Sequence, residues 1–134
     1  MENKKFAATA EVLIRFVDAD MMGHVNNAHY LTYLEQGRVA YFEKLFDKAA
    51  QFPFIIAEIS IKFISPAFFN ETLVIGVRTA EFRTKAFGME YEILEKKTNR
   101  LVATATSVQV MFDYKKNVTF PIPEELKSKM IQLF

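Results

Sequence analysis

Two hydrophobic periods divide this chain. Residues Ala8 to Val17 are rich in β-branched and aromatic side chains, with Glu11-Val-Leu-Ile-Arg-Phe-Val17 at their centre, and read as a strand. From Asn27 the spacing changes to three and four residues. Leu31, Leu34, Val39, Phe42, Leu45 and Phe46 follow it, which predicts a helix to about Lys48. Gly37 interrupts that helix at a cost of about 1 kcal/mol against alanine, and marks a place where another backbone is expected to come close. After Pro53 the pattern is strand-like throughout. Phe54 to Ile64 is closed by Ser65-Pro66. Glu71 to Phe82 follows, with Leu73, Ile75 and Val77 alternating. Phe87 to Lys96 places Phe87, Met89, Tyr91 and Ile93 on one face, and Leu101 to Phe112 ends the series. Lys96-Lys-Thr-Asn-Arg100 is the polar turn between the last two. Pro121-Ile-Pro-Glu-Glu opens a short final helix, with proline and acids where the helix dipole favours them.

The order is therefore β-α-β-β-β-β-α. One long helix beside about five strands, four of them consecutive, predicts an α+β domain. Its antiparallel sheet wraps around a single central helix that is buried on most sides. Such a sheet leaves strand edges open, and self-association would cover them.

The 134 residues suit a single domain spanning the chain. The net charge of +1 provides no general field for nucleic acid or acidic membranes. There is no cysteine, so disulfides, thiolate catalysis and thiolate metal ligation are excluded. No apolar run is long enough for a transmembrane helix, and none follows Met-Glu-Asn-Lys-Lys as a signal peptide requires. A cytoplasmic protein is expected. Fourteen phenylalanines and no tryptophan make the apolar part rich in Phe. Phe52, Phe54, Phe63, Phe68 and Phe69 are candidates for core or for the lining of an apolar tunnel.

The chemistry concentrates between the first strand and the helix. Asp18-Ala-Asp-Met-Met-Gly-His-Val-Asn-Asn-Ala-His-Tyr30 holds two acids, both histidines of the chain, a glycine and two adjacent asparagines. Asn26 or Asn27 suits a helix cap and Gly23 a turn. A cap leaves Asp20 and His24 unexplained. A carboxylate before a helix start with free N–H groups supplies a base or nucleophile together with an anion site. Asp18 points away from Asp20 if the strand continues, and is expected to orient the loop. His29 is expected to be structural. The spacing matches no zinc motif, so no metal is expected.

From Asp18 to Arg38 the sequence resembles the signature of the hotdog-fold acyl-CoA thioesterases, nearest to the 4-hydroxybenzoyl-CoA thioesterase family, and the resemblance covers nearly the whole chain. It implies hydrolysis of an acyl-CoA thioester without a cofactor. It also implies a homodimer of sheets joined edge to edge, often paired again into a tetramer, with the active site at the subunit interface. The family's catalytic aspartate falls on Asp20, and its carbonyl-polarising N–H falls on Asn27, with Gly23 in the preceding loop. Its coenzyme A arm runs past Arg83-Thr84-Lys85, with Lys62 a further candidate for phosphate. Glu35, one helical turn from Arg38, stands on the central helix, where some relatives carry their acid. The same segment resembles the acyl-carrier-protein thioesterases of that superfamily, whose aspartate, asparagine and histidine fall on Asp20, Met22 and His24; Met22 departs from the pattern. A hotdog hydratase or dehydratase and a non-catalytic acyl-binding protein are the other readings.

Overall fold

The computed structural model describes residues 6–46 and 53–133. Strand β1 (Ala8–Leu13) is followed by helix α1 (His29–Phe42). Four longer strands come next: β2 (Phe54–Phe63), β3 (Thr72–Phe82), β4 (Ala86–Glu95) and β5 (Leu101–Asp113). The short β6 (Val118–Thr119) and helix α2 (Glu124–Gln132) complete the chain. The strands are antiparallel in the order β1-β3-β4-β5-β2, with β6 paired to the end of β5. This is the expected α+β hotdog architecture.

Period-2 patterning fixes the register. Leu73, Ile75 and Val77 of β3 and Phe87, Met89, Tyr91 and Ile93 of β4 are all buried on the face that receives α1. Tyr30, Tyr33, Leu34, Gly37, Tyr41 and Phe42 meet them from the helix. The rings of Phe42, Phe54 and Phe87 form one aromatic cluster with centroids 4.7–6.0 Å apart.

Polar residues also sit on this inner face, and each is satisfied. The Arg38 Nη1 donates to the Tyr91 hydroxyl at 3.3 Å, and that hydroxyl shares a hydrogen bond with Ser107 at 2.5 Å. Ser107 donates to Gln109 Oε1, whose amide donates to the Phe87 carbonyl at 3.1 Å. The Tyr41 hydroxyl meets Thr79. A buried polar network at this position stabilises only because its members are paired.

Three expectations change in detail. β1 stops at Leu13 rather than Val17, because the chain turns into a short 3-10 segment at Phe16–Asp18. Helix α1 ends at Phe42, with further turns to Phe46; residues 47–52, including Lys48 and Phe52, lie outside the described residues. The helix is buried on one side only. Leu31, Thr32 and Glu35 are exposed and face β2 across a groove.

Gly37 does mark a close approach, but to side chains rather than to backbone. A Cβ there would stand 2.6 Å from Val77 Cγ2 and 2.7 Å from Ile75 Cγ2, both on fully buried β-branched residues. Overpacking of this kind costs about 1–3 kcal/mol, which exceeds or offsets the roughly 1 kcal/mol of helix propensity that alanine gains. Gly37→Ala is expected to lower Tm by several degrees in a thermal melt. An unchanged or higher Tm would show that β3 yields there.

Candidate active site

The loop between β1 and α1 is a small folded unit. Its first anchor is Asp18, which is 1% exposed. Asp18 Oδ2 accepts the Arg15 backbone N–H at 3.0 Å and the Tyr33 hydroxyl at 3.1 Å, and Oδ1 accepts Arg15 Nη2 at 2.9 Å. His29 Nδ1 stands 3.6 Å from Oδ1. Burial pushes the Asp18 carboxyl upward, but the bonds from Arg15 and Tyr33 and the Arg15 charge outweigh it and hold the group below its ordinary value. The Tyr33 hydroxyl is raised by burial and by the Asp18 carboxylate, which keeps it protonated and donating. Asp18 thus orients the loop as expected, though through a 3-10 turn and not through strand alternation.

The second unit is the turn Asp20–Gly23. Gly23 N–H donates to the Asp20 carbonyl at 3.0 Å, and Gly23 has φ +87°, a left-handed value natural to glycine. Ala19 and Val25 bridge below the turn, and Asp20 N–H donates to the His24 carbonyl at 2.9 Å. Asp20 and His24 are therefore backbone partners at the head of a tiny hairpin. The Asp20 side chain is exposed. Its Oδ1 accepts the Met22 N–H at 2.8 Å.

The third unit is the helix start. Asn26 Oδ1 accepts the Ala28 N–H at 3.0 Å, and the Asn26 carbonyl accepts that of His29. Neither asparagine caps α1 with its side chain, as the sequence suggested one would: the cap position is Ala28, and Asn26 closes a turn just before it. Asn27 is exposed, and among the described residues its N–H meets no acceptor. The arrangement offers a solvent-facing carboxylate, an imidazole beside it and a free N–H at the positive end of a helix.

The strap between β2 and β3 forms one wall. The Val25 N–H donates to the Ala67 carbonyl at 2.8 Å, His24 bridges to Phe68, and the two rings meet edge to face at 6.2 Å. Phe68 and Phe69 are exposed, as is Phe16, which packs on Phe69 with centroids 5.6 Å apart. Phe63 is half-exposed against Tyr30, whereas Phe54 belongs to the core cluster.

The remaining candidates lie elsewhere. Glu35 lines the groove between α1 and β2 with Leu31, Thr32, Arg38, Ile56 and Glu58. It does not pair with Arg38, which turns inward to Tyr91. Arg83, Thr84 and Lys85 form the β3–β4 turn at the far end of β3. The eleven residues of β3 from Thr72 to Phe82 span about 33 Å, so this turn and Asp20 do not share a site within one chain. Arg83 pairs with Glu81 at 2.8 Å, Lys85 reaches Thr119 at 3.3 Å, and the Thr84 carbonyl accepts the Ile122 N–H. Lys62 stands on the opposite face of the sheet, in a recess shared with Arg78, Glu90 and Glu92. Among the described residues, no three His, Asp or Glu side chains gather as a metal site, and no helix is long and apolar enough to cross a membrane.

A family model described as the thioesterase-like superfamily matches residues 8–130, the loop and the whole sheet included. The chain belongs to that superfamily. One relative in this thioesterase-like group is the long-chain acyl-CoA thioesterase FadM of Escherichia coli, 26% identical, with 92% of this chain and 96% of FadM aligned. Another is a chloroplastic acyl-acyl carrier protein thioesterase of Arabidopsis thaliana, 25% identical over 90% of this chain and 66% of the relative. Among solved structures, a thioesterase from Thermus thermophilus complexed with coenzyme A and Zn superposes with a TM-score of 0.90 at 27% identity, covering 99% of this chain and 96% of that one.

Sequence reasoning missed Arg15, Tyr33, Glu71 and Arg100 as parts of this region. Tyr33 carried a signal, since it stands one turn into the helix behind a conspicuous acid. Arg15 lay inside the expected first strand, and Glu71 and Arg100 act from distant turns; none of the three carried a signal.

Proposed function

We propose that this chain hydrolyses acyl-CoA thioesters, with Asp20 as base or nucleophile and the Asn27 N–H as the oxyanion donor. The observation that carries the reading is the pairing of an exposed carboxylate in a fixed turn with an acceptor-free N–H at the start of α1. With Asp20 as base, water loses its proton to the carboxylate as its oxygen bonds to the thioester carbon. The carbonyl oxygen takes up negative charge at Asn27. Collapse breaks the C–S bond, and the sulfur leaves as the thiol after taking a proton. An N–H donor aimed at developing charge is worth about 3 kcal/mol. With Asp20 as nucleophile, its oxygen bonds to the thioester carbon, the C–S bond breaks and the thiolate leaves, taking a proton from solvent; water then cleaves the anhydride to the free acid and the Asp20 carboxylate. In this reading His24, the backbone partner of Asp20, orients or exchanges the proton, and Glu35 is the next acid to test.

The opposite placement of Asp20 and the Arg83–Lys85 turn favours a site built from two copies. β2 is an edge strand with Ile55, Ile56 and Phe63 exposed, the kind of edge that proteins normally cover. The Asp20 loop lies at its Phe63 end, where Tyr30 packs, and the Arg83–Lys85 turn lies at its Phe54 end, beside Met111. Antiparallel pairing of two β2 strands about a twofold brings the second copy's turn beside the first copy's Asp20 loop. Sedimentation at assay concentration is expected to show a dimer or larger assembly; a fully active monomer would overturn this arrangement.

The activity is tested with short, long and aromatic acyl-CoAs, the matching acyl-carrier-protein thioesters and a short pantetheine mimic, all read by thiol release. An enoyl-CoA followed for loss of its double bond is the control for hydratase chemistry. Thiol release from acyl-CoA is expected, and its absence across the panel would sink the assignment. Arg83→Ala and Lys85→Ala are expected to raise KM for the CoA substrate and not for the mimic, because a lost phosphate contact removes binding energy. Equal effects on both would make them ordinary surface charges.

A further inference from the structure

Arg100 closes the β4–β5 turn at the same end of the sheet as the Asp20 loop, and every hydrogen bond of its guanidinium goes to the segment 65–71. Its guanidinium holds Glu71 in a fork, Nη2 to Oε1 at 2.9 Å and Nη1 to Oε2 at 3.2 Å. Nη2 also donates to the Pro66 carbonyl at 3.0 Å, and Nε to Ser65 Oγ at 3.3 Å. Its charge stands 5.9 Å over the Phe68 ring. Glu71 Oε1 accepts the Phe68 N–H at 2.8 Å, and Ser65 Oγ donates to the Leu101 carbonyl at 2.7 Å. One planar cation therefore ties both ends of the strap 65–71 to each other and to the sheet. A rigid fork does this where a lysine's point charge would not. The strap has no helix or strand ladder of its own through its middle, so its shape depends on these bonds.

The strap is what the Asp20 hairpin leans on. Ala67, fully buried, accepts the Val25 N–H, and Phe68 bridges His24 and packs on its ring. The chain of contacts runs from Arg100 through Glu71 and Phe68 to His24, then across the hairpin to Asp20. The Ile14 N–H to Glu71 carbonyl bond, 2.9 Å, and the Asn70 N–H to Ile14 carbonyl bond, 3.2 Å, tie the strap to the end of β1 as well.

We propose that Arg100 is a positioning residue of the active site, setting the placement of His24 and Asp20 through the Glu71-clamped strap without touching substrate. This rests on the reading of Asp20 and His24 as the reacting loop, and the test separates the two. The chain has only two histidines, so proton NMR of the intact protein resolves His24 on the strap side and His29 on α1 as an internal control. In Arg100→Ala, the His24 ring resonances are expected to move as the Phe68 ring shifts, with those of His29 unchanged. With the activity reading in force, kcat is expected to fall about 10- to 100-fold at a KM within about twofold, as small misplacements of catalytic groups do. Glu71→Gln keeps the volume and an acceptor for the Phe68 N–H, and is expected to give the same changes at smaller size. Gly37→Ala, which overpacks the core elsewhere, is expected to move neither His24 nor the kcat to KM balance.

Unmoved His24 resonances in folded Arg100→Ala and Glu71→Gln would overturn the proposal, as would His24 and His29 moving together. An unchanged kcat in an active parent would do the same. A parent that releases no thiol from any substrate overturns the reading of the reaction alone, since the NMR comparison does not depend on turnover.

Discussion

Asp20→Asn is expected to lower kcat by three orders of magnitude or so while the melting transition and KM stay near those of the parent. Asparagine keeps the size of the side chain and the oxygen that accepts the Met22 N–H, so the turn survives. It cannot take a proton from water or attack a thioester with useful strength. The alternative role for Asp20, a residue that only shapes the turn, is filled by asparagine almost as well. The two roles therefore predict opposite outcomes from one substitution. His24→Ala is expected to cost less than Asp20→Asn if the imidazole orients, and a comparable amount if it carries the proton. Near-normal turnover in Asp20→Asn, with an unchanged melt, would remove Asp20 and move the search to Glu35. That acid lies about 9 Å farther along α1 than His29 by helical rise, in a separate groove, so it acts only on a differently seated substrate.

The part of this molecule that alternation writes locally was legible. β3 and β4 fill one face with large apolar residues at every second position, and those are the residues buried under α1. The segment holding Asp20, His24 and Asn27 stood out because polar groups crowd there between two apolar elements. What could not be read are events in which distant residues capture a local one. β1 ends early because the Asp18 carboxylate takes the Arg15 N–H and the hydroxyl of Tyr33, fifteen residues on. Thr79, Ser107 and Gln109 look like outward-facing polar positions by composition. They are buried because Tyr41 meets Thr79, Tyr91 meets Ser107, and Gln109 takes Ser107 and the Phe87 carbonyl. Arg100 sits in a turn of charged and polar residues, where solvation is the ordinary expectation, and only the return of the strap beside it makes a clamp. The separation of Asp20 from Arg83–Lys85 follows from strand length. That length was already implied by the strand expected over Glu71 to Phe82.

Asp18 supports the second large effect, on stability. Asp18→Asn removes the charge that Arg15 and Tyr33 converge on and leaves a single acceptor oxygen for several donors. Tyr33 is buried, and a buried donor left without a good acceptor costs about 1–3 kcal/mol. The Arg15 side chain is mostly exposed, so its ion pair adds little beyond the hydrogen bonds. The sign of the pH dependence follows from the direction of the shift. Asp18 is held below its ordinary value in the fold, so the folded state favours the ionised form. Its contribution is fully present above the unfolded value of about 3.9 and is lost as pH falls through the lower folded value. Denaturant midpoints of parent and Asp18→Asn are thus expected to differ by a constant amount above pH 5 and to converge in acid below pH 4. Tyr33→Phe, which removes one donor and keeps the charge, is expected to cost less on its own. In combination with Asp18→Asn it is expected to add less than its separate effect, because the two share one bond. A constant gap between parent and Asp18→Asn down to pH 2 would show that the carboxylate does not titrate against the fold there. The orientation of the Asp20 loop would then rest on the backbone of the 3-10 turn alone.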